Sequence, residues 1–123
     1  MKEVPKISEA EYEVMKVIWE RNPITANEIV EKLSEKTEWQ PKTVKTLVNR
    51  LLKKQAIGFT IEKKAYFYYP EVSKDDCVKE ETESFLNRVF DGTLMPMLCH
   101  FVNSKKLKPD EIEELRKILN GKD

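Results

Sequence analysis

The sequence predicts a mainly α chain with one small β-hairpin, and three observations carry that class. Two capping boxes, Ser8 with Glu11 and Thr25 with Glu28, stand early in the chain. Apolar side chains then recur at helical spacing through Val44, Leu47, Val48, Leu51 and Leu52. After them, Phe59-Thr60-Ile61 and Tyr66-Phe67-Tyr68-Tyr69 flank the short polar connection Glu62-Lys63-Lys64-Ala65, as the strands of a hairpin do.

Taken in order, the first helix starts at the Ser8 cap, with Ile7 and Tyr12 as its hydrophobic staple. It carries Val14, Met15, Ile18 and Trp19 on one face and stops at Asn22-Pro23. Thr25 caps a second helix, stapled by Ile24 and Ile29, with Ile29, Val30 and Leu33 as its buried stripe. Pro41 suits the first position of a third helix, where a missing N–H costs nothing. The hairpin follows, with Lys63 and Lys64 at its tip and Pro70 closing it. Three helices and then a hairpin is the order of a winged helix-turn-helix.

Past Pro70 the texture changes, which divides the chain into a winged-helix head, 1–71, and a three-helix tail, 72–123. Ser73 and Asp76 cap a fourth helix, whose stripe of Val78, Phe85, Leu86, Val89 and Phe90 ends at Asp91-Gly92. Thr93 caps a fifth, with Leu94, Met97, Leu98, Phe101 and Val102 at helical spacing. Pro109 opens a sixth, carrying Ile112, Leu115, Ile118 and Leu119 up to Asn120-Gly121.

Overall charge is balanced, with 22 basic and 22 acidic residues among 123, so composition alone does not point to nucleic acid. Distribution does. Residues 1–39 carry a net −3 and residues 71–123 a net −3, whereas residues 40–70 carry +6. One basic segment between two acidic ones is the footprint of a phosphate-binding surface. No apolar leader follows the N-terminal Met-Lys-Glu-Val-Pro-Lys, and no run is long enough to span a bilayer. Cys77 and Cys99 then read as reduced thiols of a cytoplasmic protein, not as a disulfide.

Enzyme chemistry finds no support. The one histidine, His100, has no partner motif, and there is no phosphate loop, nucleophile elbow or HExxH spacing. Cys77, Cys99 and His100 lack paired metal-ligand spacing, so no metal and no cofactor are expected. The third helix is the informative element. At about 100° per residue, its apolar stripe leaves Lys42, Thr43, Lys45, Thr46, Asn49, Arg50 and Lys53 elsewhere on the helix. Lysine and arginine pair with phosphates, while asparagine and arginine read adenine and guanine edges in the major groove. With Lys63 and Lys64 on the wing, these nine residues form the expected contact with double-stranded DNA. The same surface serving a protein partner, or an unspecific architectural contact, stays open at this level.

The tail is small for an independent core yet rich in large apolar side chains. Phe85, Leu86, Val89, Phe90, Leu94, Met97, Leu98, Phe101, Ile112, Leu115 and Leu119 are therefore expected to bury against a second copy. Packing of the tail on its own head is the alternative.

From Pro41 to Leu51 (PKTVKTLVNRL) the sequence resembles the family of penicillinase and methicillin-resistance repressors, BlaI/MecI. So do ISEAEYEVMKVIW from Ile7, TANEIV from Thr25, YFYYP from Tyr66, SFLNR from Ser84 and EIEELRKILN from Glu111, in register over essentially the whole chain. The resemblance implies a winged-helix homodimer that binds a palindromic operator and represses a β-lactamase or related resistance operon. It also implies a membrane-bound β-lactam sensor whose protease domain triggers cleavage of the repressor before a Phe in the fifth helix. The matching bond is His100-Phe101, with His100 standing where the family has Asn. Gln40 stands where a Ser-type cap is common, and Gln55 where a Gly is expected after Lys53-Lys54. A copper-responsive branch of the family carries a CxC pair near its C-terminus. Here the chain runs Ile118-Leu119-Asn120-Gly121-Lys122-Asp123 without one.

Overall fold

A computed structural model describes residues 3–121. The chain divides into two compact units, Met1–Glu80 and Glu81–Asp123, and each is a body of its own.

The first unit holds α1 (Glu9–Glu20), α2 (Ala26–Leu33), α3 (Pro41–Lys53), β1 (Ile57–Glu62) and β2 (Ala65–Pro70). Both capping boxes form as the sequence predicts. The Glu11 N–H donates to Ser8 Oγ at 3.1 Å and the Ser8 N–H donates back to Glu11 Oε1 at 2.9 Å. Thr25 and Glu28 repeat the exchange at 3.0 and 3.2 Å. Each satisfies donors that a helix start otherwise leaves bare.

The core gathers Val14, Met15, Val17 and Ile18 of α1, Ile29 and Leu33 of α2, and Val44, Leu47, Val48 and Leu51 of α3. Burying one such side chain contributes roughly 1.5–3 kcal/mol, so this cluster sets the mutual angles of the three helices. Ile57 and Tyr68 tie the hairpin to it.

β1 and β2 pair antiparallel from Ile57 opposite Pro70 to Glu62 opposite Ala65, leaving Lys63-Lys64 as a two-residue turn. The strands are longer than the aromatic runs alone predict, because Ile57 and Ala65 extend the ladder at either end. Ile24 joins β2 through two backbone bonds, its N–H to Tyr68 O at 3.0 Å and Tyr68 N–H to its own O at 2.8 Å. The wing is thereby fastened to the residue just before the α2 cap.

Helix α3 ends on a left-handed residue. Gln55 has φ 63°, and the Ala56 N–H reaches back to Leu51 O at 3.0 Å. A non-glycine residue there costs about 1–2 kcal/mol, which the burial of Ala56 and Ile57 immediately behind it offsets. The head also extends past residue 71, where the sequence reading draws its boundary. Val72 and Cys77 belong to the head's core, and Trp19 Nε1–H donates to Val72 O at 3.0 Å. Burial pushes the Cys77 thiol pKa up, helped by Asp76, so it behaves as a small hydrophobe.

Helix α4 (Lys74–Phe90) crosses the division, and α5 (Leu94–Asn103) and α6 (Pro109–Asn120) complete the second unit. The Ser73 Oγ accepts from Asp76 N–H at 3.0 Å, and the Lys108 N–H donates to Glu111 Oε1 at 2.9 Å. No residue from 81 to 121 is fully buried. No helix among the described residues is long and apolar enough to cross a membrane.

One ion pair ties the chain start to the end of α3. Lys54 Nζ donates to Glu11 Oε1 and, at 2.7 Å, to the Lys6 carbonyl. Burial raises the Glu11 pKa, but the bonds from Lys54 and Ser8 outweigh it and hold the carboxyl below its ordinary 4.5. Lys54→Met is expected to lower the head's stability at neutral pH by about 1.5–3 kcal/mol, read as a drop in urea midpoint. Because the folded pKa is depressed, the stabilisation is complete above 4.5 and fades as pH falls below it. Wild type and K54M are therefore expected to converge in acid. A constant gap down to about pH 3 would show that the charge of Glu11 is not what Lys54 serves.

Candidate nucleic-acid interface

The rotational setting of α3 decides what the head displays. Val44, Leu47, Val48 and Leu51 are buried and Leu52 is half-buried, so the helix cannot turn about its axis without exposing its stripe. Lys42, Thr43, Lys45, Thr46, Asn49, Arg50 and Lys53 are all exposed. Pro41 occupies the first turn, and Gln40 caps it without a side-chain bond. Thr46 Oγ1–H donates to Lys42 O at 2.9 Å, which leaves its oxygen lone pairs outward as acceptors. None of Lys42, Lys45, Arg50 or Lys53 is engaged in an ion pair among the described residues. Their charge is unneutralised by the protein itself.

Six of these seven residues fall in two rows. Lys42, Thr46, Arg50 and Lys53 follow one another at helical spacing. Lys45 and Asn49, four apart, line a recess of about 170 Å³ with Ala26, Val48 and Tyr68. Lys54, counted in the basic segment by sequence, is withdrawn from this surface by Glu11. Sequence offers no sign of that, because the two are 43 positions apart. The part played by Tyr68 is equally hidden, since it follows from the long-range pairing with Ile24.

On the wing, Lys63 and Lys64 are exposed and both take positive φ, 50° and 66°. A two-residue hairpin turn of matching twist demands this of both residues, which is why Asn-Gly is its preferred pair. Beside the turn, Phe59 stacks on Tyr66 with ring centroids 4.7 Å apart, stiffening the strands that carry it.

In the second unit Phe85, Leu86, Phe90, Met97, Leu98, Phe101, Ile112 and Leu115 are half-buried, while Val89, Leu94 and Leu119 are exposed. Leu98, Phe101, Leu107, Leu115 and Ile118 line an apolar trough of about 380 Å³ between α5 and α6. The His100-Phe101 bond lies in the last turn of α5, with the His100 side chain exposed and its ring 5.6 Å from that of Phe101.

The model of the family described as penicillinase repressor matches residues 7–121. The chain belongs to the penicillinase repressor family. It is 42% identical over 119 residues to the penicillinase repressor of Bacillus licheniformis, covering 97% of this chain and 93% of that protein. The methicillin resistance regulatory protein MecI of Staphylococcus aureus is 40% identical over 117 residues, covering 95% of each. Two solved structures are similar as well. The DNA binding domain of the repressor BlaI superposes with a TM-score of 0.55 at 43% identity, covering 62% of this chain and 93% of that one. The monomeric form of B. licheniformis BlaI in complex with the blaP half-operator gives 0.54 over the same shares. Members of this family are transcriptional repressors, and the winged-helix fold read from the sequence is the fold of the head.

The turn lysines make a stability test. Lys63→Asn with Lys64→Gly places the preferred pair in the same backbone, and should stabilise the head by about 1 kcal/mol. Thermal unfolding would show a midpoint higher by several degrees. A lower midpoint would mean that the lysine stems contribute packing that outweighs their backbone cost.

Proposed function

We propose that this chain is a sequence-specific repressor that binds a palindromic operator in double-stranded DNA as a homodimer. Its place is the cytoplasm and its target a β-lactamase or related antibiotic-resistance operon. The observation that carries the reading is the face of α3: seven polar or cationic side chains, all exposed, on a helix whose other side is core. The blaP half-operator complex of BlaI supports it.

In this reading α3 enters the major groove of each half-site. Lys42, Lys45 and Arg50 hold phosphates or base edges, Thr43, Thr46 and Asn49 supply polar contacts, and Lys53 reaches the flanking backbone. Lys63 and Lys64 touch the backbone beside the groove. Occupying the promoter is the repression.

A second copy of the chain is the partner of the tail. The supporting fact is that residues 81–121 include no fully buried side chain, while Val89, Leu94, Met95, Ile118 and Leu119 are at least half exposed. Helices this apolar leave a large surface in water until another copy covers it. Two linked heads then bind a palindrome far better than two free ones, because the second contact is intramolecular. Hydrolysis of His100-Phe101 by the protease of a membrane-bound β-lactam sensor would sever α5 and release α6, separating the heads without altering the residues that read DNA.

A salt titration on a blaP operator duplex and a scrambled duplex tests the DNA reading. A gap of about 10³ or more, with affinity falling steeply as salt rises, is expected. Equal weak binding to both would overturn sequence-specific repression at that operator. K63N/K64G should reduce the salt slope by up to about two, one for each phosphate that the wing no longer neutralises. For the tail, Phe101→Asp puts a charge in the α5–α6 trough. Sedimentation should then give a monomer, and affinity for the full palindrome should fall at least about 100-fold, with half-site binding unchanged. A dimeric F101D that binds the palindrome normally would refute the coupling.

A further inference from the structure

Tyr68 is only 8% exposed, yet among the described residues its hydroxyl makes no hydrogen bond. It is not sealed in either, since no fully enclosed side-chain oxygen or nitrogen lacks a partner among those residues. Its oxygen therefore keeps an opening to solvent, and Tyr68 lines the recess shared with Ala26, Lys45, Val48 and Asn49. A tyrosine so deeply set, with a donor left idle, is a group waiting for an acceptor.

The recess supplies more donors. Ala26 is the first residue of α2, and Thr25 Oγ1 accepts only the Glu28 N–H, so the Ala26 and Asn27 N–H groups have no partner within the helix. Lys45 brings one full positive charge and Asn49 an amide. The walls are rigid, because two backbone bonds hold Tyr68 against Ile24, two residues before Ala26. Burial, and secondarily Tyr66, raises the Tyr68 pKa, so the hydroxyl stays protonated and able to donate.

We propose that this recess seats one DNA backbone phosphate in each half-site, with the Tyr68 hydroxyl donating to a phosphate oxygen and Lys45 neutralising the charge. The inference rests on the DNA-binding reading above and adds a residue to it. Tetrahedral oxygens suit donors converging from three elements, α2, α3 and β2, better than a planar carboxylate would. The row Lys42, Thr46, Arg50 and Lys53 stays free for the groove. Tyr68 is thus a positioning residue: it fixes how α3 sits on the duplex and reads no base.

Tyr68→Phe removes only the oxygen, and since that oxygen has no partner the thermal midpoint should not change. Affinity for a random duplex and for the blaP half-operator duplex should fall by a similar factor, about tenfold, at an unchanged salt slope. Lys45→Ala should instead lower the slope by about one. Duplexes carrying one neutral methylphosphonate at a time locate the contact. One position should weaken wild type more than Y68F, by the factor that Y68F itself costs, because the two changes delete the same bond while the loss of the Lys45 attraction is common to both. Y68F binding both duplexes as tightly as wild type would overturn the proposal, as would losses that add independently at every position. Wild type binding neither duplex at low salt would bring down the DNA reading itself, a distinct result.

Discussion

The buried stripe of α3 is the constraint from which the rest follows. A helix with apolar residues at 44, 47, 48 and 51 has one rotational setting that removes all four from water. Any other setting exposes side chains each worth roughly 1.5–3 kcal/mol. That setting turns every cation of α3 outward. Hydrophobic burial thus specifies an electrostatic surface, although none of the charged groups contributes to holding it there. The helix backbone is set before any DNA arrives, so the ordering entropy spent on binding falls on the exposed side chains alone.

Local chemistry explains why so much was legible in the sequence. A capping box involves residues three apart, a helical stripe residues three or four apart, and a two-residue turn its immediate neighbours. Ser8, Thr25, Pro41 and Lys63-Lys64 therefore announced their elements, and the exposed face of α3 followed from the same arithmetic. What stayed hidden depends on contacts between distant positions. Lys54 looked like part of the basic surface until Glu11 took it, and Tyr68 looked like an ordinary strand aromatic until Ile24 fastened it beside α2. The boundary at residue 71 followed a change of texture. Packing of Val72 and Cys77 obeys instead the reach of Trp19 and the head core.

Departures from local preference are concentrated where the chain must change direction. Gln55, Lys63 and Lys64 all hold left-handed backbone, at φ 63°, 50° and 66°. At Gln55 the strain closes α3 and starts the wing, and a glycine would serve the geometry better. At the wing tip the strained residues are two lysines, where Asn-Gly would fold more readily. Two cations at the least favourable positions of the hairpin are understandable if charge at the tip matters more than the stability of the turn. The low burial throughout the second unit has the same character. It leaves apolar surface in water, a cost that the proposed pairing with a second copy would remove.

Electrostatic balance adds the last constraint. Long-range attraction to DNA scales with a protein's charge, and a chain with a large positive excess binds every duplex well. Here the +6 of residues 40–70 is cancelled by −3 on either side, so the net charge is zero. At a Debye length of about 8 Å in physiological salt, a duplex resting on α3 and the wing tip feels mainly the local positive segment. A duplex approaching α1, which carries Glu9 and Glu20 exposed at its ends, meets repulsion. Confining the cations in this way favours one docking face over the others, because only that orientation uses them all. Discrimination between sequences is left to the side chains that reach base edges. Neutrality of the whole chain is therefore not evidence against a DNA-binding role; it restricts the face on which a duplex can rest.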